Sequence, residues 1–353
     1  VRIAQVSPLY ESVPPQAYGG TERVVSFLTE ELVRQGHEVT LFASGDSQTS
    51  ARLVPMVPNA LRLGQSEDSF AHHVLMADRV ARMGRQFDVV HFHIDYVHFP
   101  LSRRERYTHV TTLHGRLDIP DLQPLYDEFR DMPVVSISHA QRAPLPQADW
   151  QATVHHGLPP DLFHLQSEPE GYLAFLGRIS PEKRVDRAVE IARRTGMTLR
   201  VAAKIDDADQ RYFETEIAPL FDQPFVEFLG EIGEAEKQRF LGGATALLFP
   251  IDWREPFGLV MIEAMACGTP VVAWRGGSVD EVITDGVSGF VVEGIDEAVD
   301  ATYRAAMLDR RRCRAAFDER FTVDRMAHNY VTVYEKLAFA RSDRTSRPMV
   351  QGR

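Results

Sequence analysis

The stretch Phe249–Ala266, FPIDWREPFGLVMIEAMA, decides how this chain is read. Ala246, Leu247, Leu248 and Phe249 lead into it as the end of a buried strand, and Leu259, Val260, Ile262, Glu263, Ala264 and Ala266 follow as a helix. Pro256 stands where the helix is expected to begin, a place where a missing N–H costs nothing. Phe257, Gly258 and Leu259 then read as first-turn residues with unpaired amides. Such amides suit an anion or sugar hydroxyls. Gly258 has no Cβ, so a ligand can approach the backbone closely there.

Two acids frame the turn, Glu255 before the helix and Glu263 eight residues on. On one side of a helix that spacing separates the carboxylates by roughly 10–12 Å along the axis. This suits two ends of one ligand better than one metal ion, and it exceeds the about 5–5.5 Å of a retaining glycosidase pair. Each carboxylate is able to accept hydrogen bonds from a vicinal diol. The plainer alternative makes Glu263 a solvated helix residue and Glu255 a partner of the helix dipole.

The run EPFGLVMIE from Glu255 to Glu263, followed by AMACGTPVVA to Ala273, resembles the signature of retaining glycosyltransferases of the family 4 type (glycosyl transferases group 1). The resemblance implies an α/β chain of GT-B type, two Rossmann-like doubly wound domains facing across a cleft. It implies that Glu255 lies beside the donor sugar and Glu263 holds the ribose of a nucleotide. Gly19, Gly20, Thr21 and Glu22 match a Gly-Gly-x-Glu loop that approaches the donor phosphates. His114 matches a histidine lining the sugar pocket, and Ser138 and Arg142 fall in a loop beside the cleft. Arg178 and Lys183, in the turn after Gly177, match a pair that grips the diphosphate and partly replaces a divalent ion. Glu231 and Ile232 fall in a loop under the base. The chain departs from the pattern at Arg184, where Gly is usual, and after Gly276-Gly277, where Val279-Asp280 precedes Glu281.

Composition agrees with a two-domain enzyme. The 353 residues are 44% hydrophobic and 25% charged, too long for one ordinary core. No apolar run approaches a membrane span and no leader is seen before Ile3, so the expectation is a cytoplasmic chain with at most weak peripheral membrane contact. A formal charge of −11 disfavours nucleic acid as a partner. Residues 1–165 carry 14 Arg and no Lys against 19 acids, which also argues against docking on anionic lipid. Arg103, Arg104 and Arg106 are the one basic cluster and read as a solvated face. Only Cys267 and Cys313 occur, so neither a disulfide framework nor a Cys-rich metal site is expected. His91-x-His93 lacks an evident third ligand. No metal site and no strict divalent-metal dependence are expected.

Taken in order, Arg2–Ser7 reads as a strand, 8–20 as a loop, and the stretch after a Thr21 cap as an amphipathic helix ending at Gly36. Strands at Val39–Ala43, Asp88–Phe92, His109–Leu113 and Val134–Ile137 alternate with helices near His72–Met83 and Leu122–Phe129. G-x-G-x-x-G is absent, which disfavours a nicotinamide dehydrogenase. His164–Gly171 is the linker candidate. Beyond it come strands at Tyr172–Leu176, Leu199–Ala203, Val226–Leu229 and Pro270–Ala273, a helix from Glu182 or Lys183, one at Asp209–Leu220, and helices at Asp296–Phe317 and Thr322–Ala340. The turn GRISPEKR sets Arg178 and Lys183 around Ser180-Pro181 at that helix mouth, where two cations oppose the dipole unless an anion sits between them. The domains are therefore expected at 1–165 (acceptor side) and 171–322 (nucleotide-sugar donor side), with a helix at 323–340 crossing back to the first and a mobile tail at 341–353.

The expected reaction is transfer of a hexose-type sugar, with retention, from a nucleotide diphosphate donor to an unknown acceptor. A UDP-sugar is favoured and GDP-mannose comes next. Rival readings are a sugar-nucleotide epimerase of the same architecture and a non-catalytic sugar-nucleotide-binding protein. Acceptor contacts are expected in loops 8–18 and 94–107.

Overall fold

The computed structural model describes residues 1–16, 19–63, 66–105 and 107–346, with side chains through 339. Arg106 of the basic cluster, Tyr18 at the end of the first loop and the tail 347–353 lie outside the described residues. The chain forms two compact units. The first comprises Val1–Ile137, Arg142–Gly157 and the segment from Val323 onward; the second comprises Ser138–Gln141 and Leu158–Thr322.

The first unit is built on a sheet of seven strands: β1 (Arg2–Val6), β2 (Glu38–Ser44), β3 (Arg52–Val57), β4 (Val89–Phe92), β5 (His109–Thr112), β6 (Pro133–Ser136) and β7 (Asp149–Thr153). Their order is β3-β2-β1-β4-β5-β6-β7, with every pairing parallel. The second unit has six parallel strands: β8 (Tyr172–Arg178), β9 (Thr198–Lys204), β10 (Val226–Gly230), β11 (Ala244–Phe249), β12 (Val271–Trp274) and β13 (Gly289–Val292). They run in the order β10-β9-β8-β11-β12-β13.

Central strands such as β11, ATALLF, are buried from end to end, as parallel strands covered on both faces must be, and so read as unbroken apolar runs. In each sheet the order reverses once, between β1 and β4 and between β8 and β11. Right-handed crossovers then place helices on both faces, which makes each unit a doubly wound, Rossmann-like domain.

The helix Val323–Ser346 belongs with the first unit. Its buried Tyr330 and Tyr334 hydrogen-bond Thr112 and Gln5. It runs six residues past the expected end at Ala340, so the expected tail is helical through Ser346. The chain leaves the first unit after Gly157, ahead of the His164–Gly171 linker candidate. Two long helices of the sequence reading are broken. Asp209–Leu220 is a 3-10 turn, a short α turn, a π turn Phe213–Ile217 and a final turn ending at Phe221. Asp296–Phe317 is two helices, Ile295–Ala305 and Arg310–Arg320, the second capped by the Asp309 carboxylate.

Candidate active site

In an open parallel sheet, ligands bind beyond the carboxyl ends of the strands where the order reverses. In the second unit that point lies between β8 and β11, and Gly177, Arg178, Lys183 and Glu255 lie at or past the carboxyl ends of those two strands, whereas Glu231 and Ile232 follow the edge strand β10. Gly177 and Arg178 close β8, and Glu255 lies in the turn that follows β11. Lys183 Nζ donates to Glu255 Oε2 at 2.6 Å, and Trp253 Nε1 donates to the same oxygen at 3.1 Å. The ammonium also lies 4.8 Å from the Trp253 ring centroid and 5.5 Å from that of Phe249. Both members of the ion pair are largely buried, at 17% and 10% side-chain exposure. Charge and ring are thus held together in a low-dielectric setting, where hydrogen bonds to ions are strong.

The expectation of two cations bare at a helix mouth is corrected. The helix starts at Val185, after a 3-10 turn Pro181–Lys183, and each cation has a carboxylate partner. Arg178 bonds Asp206 at 3.2 Å and Glu182 at 3.3 Å. Between the two cations, Ser180 Oγ is buried without a hydrogen-bond partner among the described residues. A Cβ at Gly177 would meet nothing closer than Phe175 at 4.0 Å. Arg184 adopts the left-handed region, φ 52°, ψ 49°, where a non-glycine residue costs roughly 1–2 kcal/mol. Its guanidinium bonds Asp186 at 2.8 Å and Asp252 at 2.9 Å, which offsets the strain and fixes the path where the family's usual glycine is missing.

The start of the next helix is also corrected. It runs Leu259–Ala266, and Gly258 precedes it with φ 81°, ψ 68°. Pro256 and Phe257 therefore lie in the turn and not in the helix. Phe257 is a core residue: its ring packs on Phe321 with centroids 6.1 Å apart, and its carbonyl accepts from Ser278 Oγ at 2.8 Å. Gly276 and Gly277 make a close contact. A Cβ on Gly277 would lie 2.1 Å from the Glu255 carbonyl oxygen, which also accepts from Ser278 N at 2.9 Å. The β12 loop thereby holds the backbone of Glu255.

Glu263 is buried on the Leu259–Ala266 helix and accepts from Lys237 Nζ at 2.7 Å. Lys237 rides on Glu234–Gly242, the helix that follows Glu231 and Ile232. Each acid of the opening motif thus has its own lysine, drawn from the chain's four. Lys237 stands in no motif that the sequence displays. Its signal is scarcity, since it is one of few lysines in an Arg-rich chain.

In the first unit the reversal lies between β1 and β4. Gly20 opens the helix Gly20–Arg34 with Gly19 as its N-cap, two residues earlier than the expected Thr21 cap. A Cβ at Gly19 would stand 2.7 Å from Pro15 Cβ. Glu22, buried on the first turn, has its carboxyl pushed up to about 7 by burial, against backbone hydrogen bonds that favour the ion. His114 lies just past β5; its Nε2 is 2.8 Å from His93 Nδ1 and its ring stacks on His156. Burial pushes it down to about 3, so the ring is neutral. Its Nδ1 has no hydrogen-bond partner among the described residues. His91 and His93 are both occupied by hydrogen bonds. Asp95, in the loop after β4, holds φ 50°, a conformation Asp tolerates better than most and one met at functional sites.

Ser138 holds a backbone amide and Arg142 a neighbouring side chain. Ser138 Oγ accepts from Gln141 N at 3.0 Å, and Arg142 bonds Thr153 Oγ1 at 3.3 Å beneath the Trp150 ring. Arg103 is held by Glu128 and Asp131. Among the described residues, no group of three or more His, Cys, Asp or Glu side chains is arranged to hold a metal ion, and no helix is long and apolar enough to cross a membrane.

Two doubly wound, parallel α/β units define the GT-B class of fold, and comparison with known proteins agrees. Residues 163–320 match the family model for glycosyl transferases group 1, and residues 18–150 match that for glycosyltransferase family 4. The chain belongs to this family. It is 33% identical over 189 residues to the D-inositol 3-phosphate glycosyltransferase of Geodermatophilus obscurus, covering 48% of this chain but only 42% of that relative. It is 26% identical over 367 residues to the N-acetyl-alpha-D-glucosaminyl L-malate synthase of Bacillus anthracis, covering 90% and 93%. Among solved structures it resembles AviGT4, a glycosyltransferase involved in avilamycin A biosynthesis, with TM-score 0.74, 26% identity and coverage of 96% and 98%. It shares its fold with the Anabaena protein HepE in complex with UDP-glucose, with TM-score 0.69, 18% identity and coverage of 97% and 99%.

Proposed function

We propose that this chain is a retaining glycosyltransferase that moves a hexose-type sugar from a nucleotide diphosphate donor, a UDP-sugar before GDP-mannose, to an acceptor hydroxyl. The observation that carries the reading is the pair of buried ion pairs, Glu255 with Lys183 and Glu263 with Lys237, one in the turn and one on the helix of a single strand-turn-helix. The complex of HepE with UDP-glucose supports a UDP donor for this fold.

In the proposed reaction the bond from the anomeric carbon to the diphosphate oxygen breaks, and the acceptor oxygen bonds that carbon on the same face. Positive charge develops on the sugar and negative charge on the leaving phosphate, which takes the acceptor's proton. Arg178, Lys183 and the backbone amides near Gly258 and Leu259 stabilise that phosphate. Donor phosphates compete with Glu255 for Lys183, which frees the Glu255 carboxylate to accept from sugar hydroxyls. Glu263 accepts from the ribose, and His114 contacts the sugar's other edge. No divalent ion is required, and activity abolished by chelator and restored by magnesium would count against the role of Arg178 and Lys183.

The test is nucleotide release from UDP-, GDP- and ADP-sugars without acceptor, with wild type beside Glu255→Gln. Slow hydrolysis of one donor, lost in the variant, is expected. Conversion of the donor sugar to its epimer, or nucleotide-sugar binding with no turnover even when acceptors are supplied, would replace this reading with an epimerase or a binding protein.

A further inference from the structure

At the β1/β4 reversal, seven side chains from distant parts of the first unit form one hydrogen-bonded chain. Gln5 on β1 is its hub. Gln5 Oε1 is 2.8 Å from His93 Nε2, and His93 Nδ1 is 2.8 Å from His114 Nε2. On the other side Gln5 Nε2 donates to the Tyr334 hydroxyl at 3.2 Å, which lies 2.7 Å from His91 Nδ1. His91 Nε2 meets Thr112 Oγ1 at 2.7 Å, and that hydroxyl meets Tyr330 at 3.0 Å. Gln5, His91, His93, Thr112, Tyr330 and Tyr334 are all buried.

A carboxamide oxygen only accepts and its nitrogen only donates, whereas each neutral imidazole has one of each. The polarity of the chain therefore follows from one group. Burial holds His91, His93 and His114 neutral. Since Gln5 Oε1 accepts, His93 Nε2 must carry the proton and His93 Nδ1 must accept. His114 Nε2 then donates to it, and His114 Nδ1, the atom without a partner, is left as a lone pair. A half-turn of the Gln5 amide would reverse every member, and His114 would present an N–H instead.

We propose that Gln5 is a positioning residue for His114: through His93 its carboxamide fixes the Nε2–H tautomer, so that Nδ1 is offered as an acceptor to a hydroxyl of the bound sugar. The sugar contact rests on the transferase reading above; the tautomer does not. A substrate hydroxyl always has a proton to give, so an acceptor-only Nδ1 selects for the hydroxyl and against a deoxy or fluoro group at that position. Tyr334 and Tyr330 bring the helix Val323–Ser346 into the same chain.

The direct test is the imidazole 15N–1H long-range spectrum of the full chain labelled with 15N-histidine, with the His114 signals assigned by their loss in His114→Gln. The expected result is Nε2–H for both His93 and His114 in the ligand-free protein. An Nδ1–H form of His114 overturns the proposal, whatever the activity. In Gln5→Met, which removes the acceptor, His114 is expected to become a mixture of tautomers; in Gln5→Glu, which keeps one, it is expected to stay as in wild type. A Gln5→Met spectrum unchanged at His114 would also sink the idea. Where a donor is turned over, Gln5→Met is expected to lower kcat/KM roughly tenfold, the worth of one hydrogen bond, while the affinity for UDP alone, which has no sugar, stays unchanged. Equal loss of UDP binding would mean general damage to the fold and would contradict a positioning role.

Discussion

Lys183 carries a heavy share of the site's electrostatics. Its ammonium is fixed between Glu255 and the Trp253 ring, so a phosphate arriving there meets a charge already placed. Lys183→Gln is expected to slow donor turnover on the order of a hundredfold, the usual effect of removing one preorganised donor; a loss below about threefold would take Lys183 out of phosphate stabilisation. Glu22 makes a different prediction. Its carboxyl is held at about 7 in the fold and titrates near 4.3 in the unfolded chain, so the native state binds more protons between those values and stability falls as pH rises through that window. Glu22→Gln removes the penalty. Its unfolding free energy at pH 8 is expected to exceed that of wild type by up to about 3 kcal/mol, with the gap closing near pH 4.5. A variant less stable than wild type at pH 8 would show that the ionised carboxylate is well accommodated.

The elements show which parts of the fold were legible in the sequence. Central strands such as β1, β4, β8 and β11 are buried on both faces and read as apolar runs. The three strands the sequence reading passed over, β3, β7 and β13, all lie at sheet edges. β3 carries Pro55, tolerated where one side of the strand needs no donor, and β7, DWQAT, is nowhere fully buried. β13, GFVV, is buried but only four residues long, too short for a periodic signal. Glu255, Glu263, Arg178 and Lys183 were legible because a local motif carries them. The pairing of Lys183 with Glu255, the role of Lys237 as partner of Glu263, and the Gln5 chain were not, because they join residues far apart in sequence, such as Gln5 and Tyr334. Gly277 became intelligible only with its neighbour in view, the Glu255 carbonyl. Gly277→Ala combines that clash with a φ of 59° and is expected to cost roughly 3 kcal/mol and to lower turnover by displacing Glu255. An unchanged melting temperature would mean that the two loops separate at little cost.

At the scale of the whole molecule, the first unit concentrates neutral buried histidines: His91, His93, His98, His114 and His156 are all held below their usual range by burial. In the unfolded chain each gains a proton as pH falls below about 6.5. The unfolded state then binds more protons, so stability contributed by these groups is full above that pH and is lost below it, by about 2 kcal/mol per histidine at pH 5. Five such groups outweigh the opposite trend of Glu22. Urea unfolding of the first unit, followed between pH 7.5 and 5, is expected to shift steeply to lower denaturant; a flat midpoint would show that the histidines charge within the fold.

The central claim is that Glu255 and Glu263 are separate stations, one for the sugar and one for the nucleotide. Calorimetric titration of UDP, which lacks the sugar, tests it most directly. Glu263→Gln is expected to weaken UDP binding about tenfold, the worth of one charge-assisted hydrogen bond. Glu255→Gln is expected not to weaken it, because Lys183 loses a competitor for phosphate. Equal weakening in both variants, or none in Glu263→Gln, would contradict the two-station reading.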